Sequence, residues 1–446
     1  MGSKVRGFEG WNLRTLELSN PKIGFFMKQT LLKFLKRIEP DKEKAPLLHT
    51  AYDAFFTFAF APNTVTKEGV HIRDGMDLKR TMVMVVIAMQ LCYLWGTLNI
   101  GHQHFAALGK YQQHILEGFH LKLFYGLVQI LPIWIVAHVV GLGVEFYFAA
   151  RKKHAVEEGY LVTGALIPLI MPPDIPLWIL AFSIVFAVII GKEAFGGTGM
   201  NVVNIALLAR VFVFFAYPGT ISGDEVWVSG LTKAAPGGVA EYGWIHLNVL
   251  NPLFENFGWS TFQAGQAVVD GYSGATPMAL AAKGGWEAVT QHYTPSQMFW
   301  GLIPGSIGET SKPFIIIGAL MLIAMGIASW RIMVSMVLGM VTMALVFNWW
   351  GFNAYMEIPW YYHFSMGSFL FAMAFMATDP VTAASTNRGK WIYGFLIGMI
   401  GLIIRVMNPA YPEGWMLSIL LLNVFAPLID HFVLQSNINK RMKHVQ

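Results

Sequence analysis

"TMVMVVIAMQLCYLWGTLNI", residues 81–100, runs for twenty positions without an acidic or basic side chain. Twenty residues of α-helix rise about 30 Å, the thickness of a bilayer's hydrocarbon core. "FIIIGALMLIAMGIASW" (314–330) repeats the pattern. The 446-residue chain around them is 55% hydrophobic and 13% charged, with a mean hydropathy of +0.50. Soluble domains carry about 25% charged residues. The fold class this implies is an all-α polytopic membrane protein embedded in lipid, and no nucleic-acid partner is expected. The first 80 residues are polar and basic and hold no long apolar core, so no secretory signal is expected. The one cysteine, Cys92, falls inside an expected span. It excludes an internal disulfide, a cluster ligated by this chain's cysteines alone and a C-x-x-C pair. Redox chemistry would need an organic cofactor or a partner subunit.

About ten transmembrane helices are expected, near 81–99, 123–149, 160–172, 177–191, 202–218, 313–330, 332–350, 360–378, 391–408 and 412–434. With the N-terminus in the cytoplasm, inner segments hold 24 Lys and Arg and outer ones five. That asymmetry places both termini in the cytoplasm and the 219–311 loop outside. The organisation expected is a basic cytoplasmic region (1–80), five helices (81–218), an outer-face loop (219–311), five more helices (312–434) and a cytoplasmic tail (435–446). Each half contains an apolar segment broken at Pro and Asp: "IPLIMPPDIP" (167–176) and "FMATDPVTAAS" (375–385). An odd number of spans per half would invert the second copy. Inverted repeats with broken helices bind solutes near the midplane, although Pro and Gly also simply decorate membrane helices. In the N-terminal region, "MKQTLLKFLKRIEP" (27–40) gathers Leu31, Leu32, Phe34, Leu35 and Ile38 largely on one side. This basic amphipathic helix suits an anionic lipid surface or a partner subunit.

The outer loop contains "DGYSGAT" (270–276). A threonine hydroxyl needs a neighbouring base to act as a nucleophile. Asp270 and Ser273 supply none of useful basicity, and Gly271, Gly274 and Ala275 leave the backbone open. An exposed, unactivated hydroxyl at Thr276 suits modification by another enzyme better than catalysis. A solvated threonine in a Gly-rich turn is the plain alternative.

"DGYSGAT" resembles the flavin-attachment motif of the membrane subunits of bacterial sodium-pumping NADH:quinone reductases. The segments "HIRDGMDLKR" (71–80), "KEAFGGTGMN" (192–201), "FFAYPGTISGD" (214–224), "LIPGSIGET" (302–310), "GIASWR" (326–331), "FMATDPV" (375–381), "GKWIYGFLIG" (389–398) and "NPAYPEG" (408–414) extend the likeness over 27–445, in family order. The resemblance implies FMN carried on Thr276 as a phosphoester, placed there by a separate flavin transferase acting on FAD, with Asp270, Ser273 and Gly274 as the rest of the attachment motif. It implies riboflavin as a second, non-covalent flavin, ubiquinone as electron acceptor, and outward sodium movement. Partners would be the other subunits of a six-subunit complex in the bacterial inner membrane, one of which oxidises NADH. It also implies an inverted-repeat architecture resembling urea transporters. A ferredoxin:NAD oxidoreductase subunit, which shares the flavin motif, and a urea-type solute channel are the rivals. "HIRDGMDLKR" favours the first reading and "DGYSGAT" disfavours the channel.

Further candidates follow. The Gly-rich turn "FGGTGMN" (195–201) lacks the preceding strand of a nucleotide loop. The resemblance makes Gly197, Gly199, Asn201 and Asn204 riboflavin candidates; helix packing is the alternative. "VVGLGVEFYF" (139–148) places Glu145 in an apolar run, and a carboxylate there is a functional candidate. The family's quinone region carries two adjacent glycines, where this chain has Gly141 and Leu142. Gly141, Leu142 and Glu145 are therefore the quinone candidates. Glu145, Asp379 and Asp430 are the sodium candidates, since hard cations favour carboxylate and carbonyl oxygen. Pairing with Arg151 or Lys152 for Glu145, and helix capping for the aspartates, are the alternatives. Arg210 and Arg405 lie within spans and need a phosphate, an Asp or a carbonyl as partner. His102, His104, His114 and His120 read as surface residues.

Overall fold

The computed structural model describes residues 37, 39–40, 49, 52, 78–112, 114–152, 159–197, 199–221, 226–230, 239–240, 242–263, 265–269, 274–408 and 414–443. The chain divides into two units: Met1–His71 with Ala149–Val156, and Ile72–Phe148 with Glu157–Gln446. In the first, His49 lies 4.0 Å from Glu39. Apart from Arg37, Glu39 and Pro40, the expected amphipathic helix at 27–40 lies outside the described residues.

From Leu78 onward the described chain is mostly helical. In order come α1 (Leu78–Ala107), α2 (Phe119–Lys152), α3 (Tyr160–Ile170), α4 (Leu177–Gly191) and α5 (Ile205–Ala216). A segment of short elements follows: β1 (Val239–Ala240), a π-turn (His246–Leu250), α6 (Asn251–Asn256), β2 (Gln266–Ala267), α7 (Pro277–His292) and α8 (Pro295–Trp300). Then come α9 (Lys312–Ala324), α10 (Trp330–Trp350), α11 (Tyr362–Ser365), α12 (Phe369–Phe371), a π-turn (Ala372–Met376), α13 (Asn387–Met407) and α14 (Trp415–Met442). The strands pair antiparallel, Val239 opposite Ala267.

Among the described residues six helices are long and apolar enough to cross a membrane: those beginning at Thr81, Phe119, Leu177, Trp330, Asn387 and Trp415. The other expected spans are helical but shorter. α3, α5 and α9 have 11, 12 and 13 residues, or about 16–20 Å of rise against a core of about 30 Å. The expected span 360–378 is interrupted at Met366 and turns π-helical at Ala372. Proline chemistry accounts for the first break: Met171 is extended (φ −89°, ψ 154°), ahead of Pro172 and Pro173, which cannot continue a helix. Small residues pack the second half. A Cβ on Gly339 would strike the Phe395 carbonyl of α13, and one on Gly398 would strike that of Met336 on α10.

The contacts fix which ends share a face. Val269 N–H donates to Ala107 O at the end of α1 (3.0 Å) and Lys110 Nζ to Gln263 Oε1 (3.4 Å). His120, at the start of α2, packs on Phe254 and Trp259. The described residues between 254 and 269 therefore cover the C-terminal end of α1 and the N-terminal end of α2. Asp174, in the first break, belongs to this covered face: its carboxylate accepts from Ser229 Oγ and Gly230 N, each at 2.7 Å.

Candidate functional site

Two sites emerge, one at each end of α1. At its N-terminal end lies a cavity of about 90 Å³ bounded by α1, α3, the turn after α4, the start of α5, α9 and the second break. Asn201, Asn204, Lys192, Thr378, Asp379 and Pro380 are among its lining. Residues separated by almost 180 positions, Asn201 and Asn204 from the first half and Asp379 from the second, thus face one space. Asn204 is also the N-cap of α5, its side-chain oxygen accepting from Leu207 N (3.2 Å), while its NH₂ remains a donor. Asp379 is half-buried. Its oxygens take Val381 N (3.1 Å) and Thr382 Oγ1 (2.9 Å), both from its own turn. Gly197 and Gly199 do not line the cavity. Their φ values of +108° and +85° are the left-handed turn geometry that swings the chain from α4 to Asn201.

Glu145 is buried on α2, its Oε1 hydrogen-bonded to Nζ of Lys192, which lines the cavity. Spacing along the chain pointed to Arg151 or Lys152; the carbon skeleton of Lys192 reaches Glu145 from 47 positions away. Gly141 is closed off rather than open. A Cβ there would collide with Cζ of Tyr160, whose hydroxyl donates to Ala137 O (2.8 Å). Leu142 is half-buried and Gly143 faces outward. Asp430 stands apart from the cavity. It accepts from Ser385 N (2.6 Å), Thr386 N (3.0 Å) and Thr386 Oγ1 (2.5 Å), clamping the start of α13 as a helix-end acceptor.

The second site surrounds Thr276. Asp270 and Ser273 of the motif lie outside the described residues, and Gly274 is buried. The expectation of an exposed hydroxyl needs correction: Thr276 is 7% exposed. Its Oγ caps α7 by accepting from Ala279 N (3.2 Å), and Tyr293 OH holds the preceding Ala275 carbonyl (2.9 Å). Pro277 at the first helical position completes the start signal. A small cavity of about 10 Å³ beside Thr276 is lined also by Gly305, Glu309, Thr310, Lys312 and Gly367. That is room for about one water-sized group, so it fits a phosphoryl oxygen and not an isoalloxazine, which would lie beyond it. Thr310 Oγ1 and Glu309 Oε2, buried at this wall, have no hydrogen-bond partner among the described residues. Unsatisfied polar atoms of this kind call for a ligand or water.

Sequence reasoning quoted part of the stretch 304–312 for its likeness but gave it no role at the site. Its Ser306, Glu309, Thr310, Ser311 and Lys312 are all buried, and the signal available was a polar run between apolar segments. Arg405, whose partner was left open, donates to the carbonyls of Met366 (3.1 Å) and His363 (3.4 Å) and lies over the Trp415 ring. His114 and His120 do reach the surface, but His102 and His104 are buried. His104 stacks on Tyr125 at 3.9 Å and bonds Ser229 O (3.0 Å) under the covering segment. Beside it, burial pushes the imidazole of His246 down to about 4 and the Tyr242 phenol up to about 12.

The model of the NQR2, RnfD, RnfE family matches residues 65–439. The chain is similar to a protein of Chromohalobacter salexigens named as a subunit of the Na(+)-translocating NADH-quinone reductase, 41% identical over 430 residues, covering 92% of this chain and 95% of that one. A protein of the same name from Ectopseudomonas mendocina is 41% identical, with 92% and 98% covered. Another, from Pseudomonas aeruginosa, is 41% identical, with 88% and 93% covered.

Proposed function

Because this chain belongs to the NQR2, RnfD, RnfE family, we propose that its task is to carry electrons to quinone with FMN held on Thr276. It is a multi-pass membrane subunit of an NADH:quinone oxidoreductase that translocates sodium. The reading adds ten membrane crossings in two inverted halves, 81–218 and 312–434, flanking an outer segment at 219–311. Residues 1–80 and 435–446 lie in the cytoplasm, at the inner membrane of a bacterium. NADH oxidation belongs to another subunit of the complex. Of the rivals, the ferredoxin-linked subunit is disfavoured by relatives that match over about nine tenths of the chain and bear the quinone-reductase name.

The observation that carries the reading is the setting of Thr276: a small-residue approach, a hydroxyl on a cavity, and unsatisfied donors and acceptors at its wall. In the attachment step a flavin transferase uses FAD as donor. The Thr276 Oγ–P bond forms, the P–O bond to AMP breaks, AMP leaves, and the hydroxyl proton is released, with no net redox change. Flavins supply one- and two-electron transfer when bound. This chain's residues do the rest. Thr276 and its cap fix the tether, which keeps the group at high local concentration beside its site. Asn201 and Asn204 offer amide donors and acceptors to riboflavin in the cavity, whose far wall is Asp379. Lys192 and Glu145 form a charged pair at the same end of α1. Glu145 and Asp379 offer oxygen to sodium, and Gly141 and Leu142 shape the approach of ubiquinone; Asp430, already saturated, is the weakest sodium candidate.

Purified complex from cells containing the transferase, run on a denaturing gel under ultraviolet light, tests this. A fluorescent band at this subunit that disappears in Thr276→Ala is the expected result. A dark wild-type band removes the reading.

A further inference from the structure

Residues 244–256 form one continuous helical stretch, in which the π-turn His246–Leu250 runs on without a break into α6. One side of it packs against the protein: His246, Leu250 and Phe254 are buried. The neighbouring side is apolar as well. Ile245, Val249, Leu253 and Phe257 stand four residues apart, in line along a helix. Each is at least 42% exposed, and Trp244 beside them is 71% exposed. Asn248 and Glu255 occupy the polar remainder of the surface. The apolar arc is thus wider than the part the protein covers, and an uncovered apolar patch of this kind marks an interaction surface.

The position of this helix shows what covers it. Phe254 rests on His120 and Phe124, with ring centroids 5.3 and 5.2 Å apart, and Trp259 rests on His120 at 5.0 Å. His120 and Phe124 open a row on α2 that continues through Leu127, Leu131 and Ile135, at the three- and four-residue spacing of one helix face. Those last three are exposed. α2 is long and apolar enough to cross a membrane, and only 22% of its apolar window is buried within the protein, so this row faces lipid. The 34 residues of α2 rise about 51 Å, against about 40–45 Å for a bilayer with its headgroups. Its first turns, and the helix laid across them, therefore sit at headgroup depth. From 242 to 263 the chain has no Lys or Arg and one carboxylate, Glu255. Trp244, Phe257 and Trp259 are exposed there, and tryptophan settles at the membrane–water boundary. The absence of cations leaves nothing to attract anionic headgroups.

We propose that 244–257 is an interfacial anchor, a helix lying in the plane of the bilayer surface with Ile245, Val249, Leu253 and Phe257 inserted among zwitterionic phospholipids. Its apolar face binds by burial rather than by charge. It fixes the height of the covering segment against the spans, independently of what Thr276 carries.

The test places p-benzoylphenylalanine, whose ketone inserts into nearby C–H bonds on illumination, in turn at Val249, Leu253, Asn248 and Glu255 of the complete complex. The complex is reconstituted in phosphatidylcholine nanodiscs and irradiated, and mass spectrometry of the labelled peptide reads the adduct. Phosphatidylcholine adducts should be several-fold more abundant at Val249 and Leu253 than at Asn248 and Glu255. Raising the salt should leave that ratio unchanged, because no charge pair is involved. Attachment of Val249 or Leu253 to another subunit, seen as a larger band on a denaturing gel, overturns the proposal and makes this face a protein interface. Lipid adducts equally abundant at all four positions, or absent from Val249 and Leu253, also overturn it, as does a ratio that collapses in high salt. Should the derivative at Val249 or Leu253 not assemble, Trp244, already a large exposed aromatic, takes its place in the comparison with the same outcomes.

Discussion

Asp174 and Asp379 occupy the same kind of sequence, an apolar helix interrupted at proline, yet their carboxylates are satisfied in different ways. Asp174 is bound by Ser229 and Gly230, which arrive from 55 and 56 positions away and fasten the covering segment onto the break. Asp379 is bound by Val381 and Thr382, within its own turn. The first arrangement closes its end of the molecule. The second leaves a carboxylate face for the cavity that Asn201 and Asn204 also line. A carboxylate partly withdrawn from water must find donors, and the distance from which they come decides whether the break becomes a clasp or a pocket wall.

The largest effect should come from the pocket end. Lys192→Met removes one partner of the buried pair with Glu145 and should destabilise the protein by about 3–5 kcal/mol, whereas Lys192→Met with Glu145→Gln should recover most of it. Thermal unfolding in detergent measures both; equal loss in single and double variants would show that the pair is not what holds this end together. Next, Asp174→Ala strands two donors at about 1–3 kcal/mol each and should speed proteolysis within 226–269 while leaving the extractable non-covalent flavin unchanged. Asp379→Ala should do the reverse, costing about 1 kcal/mol but lowering retained riboflavin, read by chromatography of the extracted flavin. If both variants lose flavin, the contrast between clasp and pocket wall is broken. The smallest effect concerns pH at the clasped end. His246 is neutral when folded, with its pKa at about 4, against about 6.5 unfolded. Its contribution is intact above pH 6.5 and is lost as pH falls from there toward 4, because only the unfolded chain then binds the proton. His246→Phe should flatten that part of the melting-temperature profile.

Much of this was legible in the chain. Uncharged runs such as 81–100 located the long helices, and the Pro–Asp breaks fell where IPLIMPPDIP and FMATDPV placed them. Helix length was not legible, because hydropathy alone does not tell an 11-residue half-helix such as α3 from a span continued by apolar loop. The motif singled out Thr276, but its burial depends on Tyr293 and Pro277 closing around it. Lys312 is one of the five charges counted in the outer segments, yet it is a buried cation, since only the fold brings the 363–367 turn over it. The Glu145–Lys192 pair and the common cavity of Asn201 and Asp379 are likewise products of tertiary contact, and no local spacing encodes them.

The 302–310 stretch has one more consequence. Asn99 on α1 donates to Ile303 O (2.9 Å), and Gly308 N–H reaches Leu169 O on α3 (2.8 Å). A piece of the C-terminal half of the sequence is thus stitched into the N-terminal half. Two fragments of the chain, cut within 231–238 and produced separately, should find each other along this seam, and a cut placed inside 303–308 should not be rescued by co-expression.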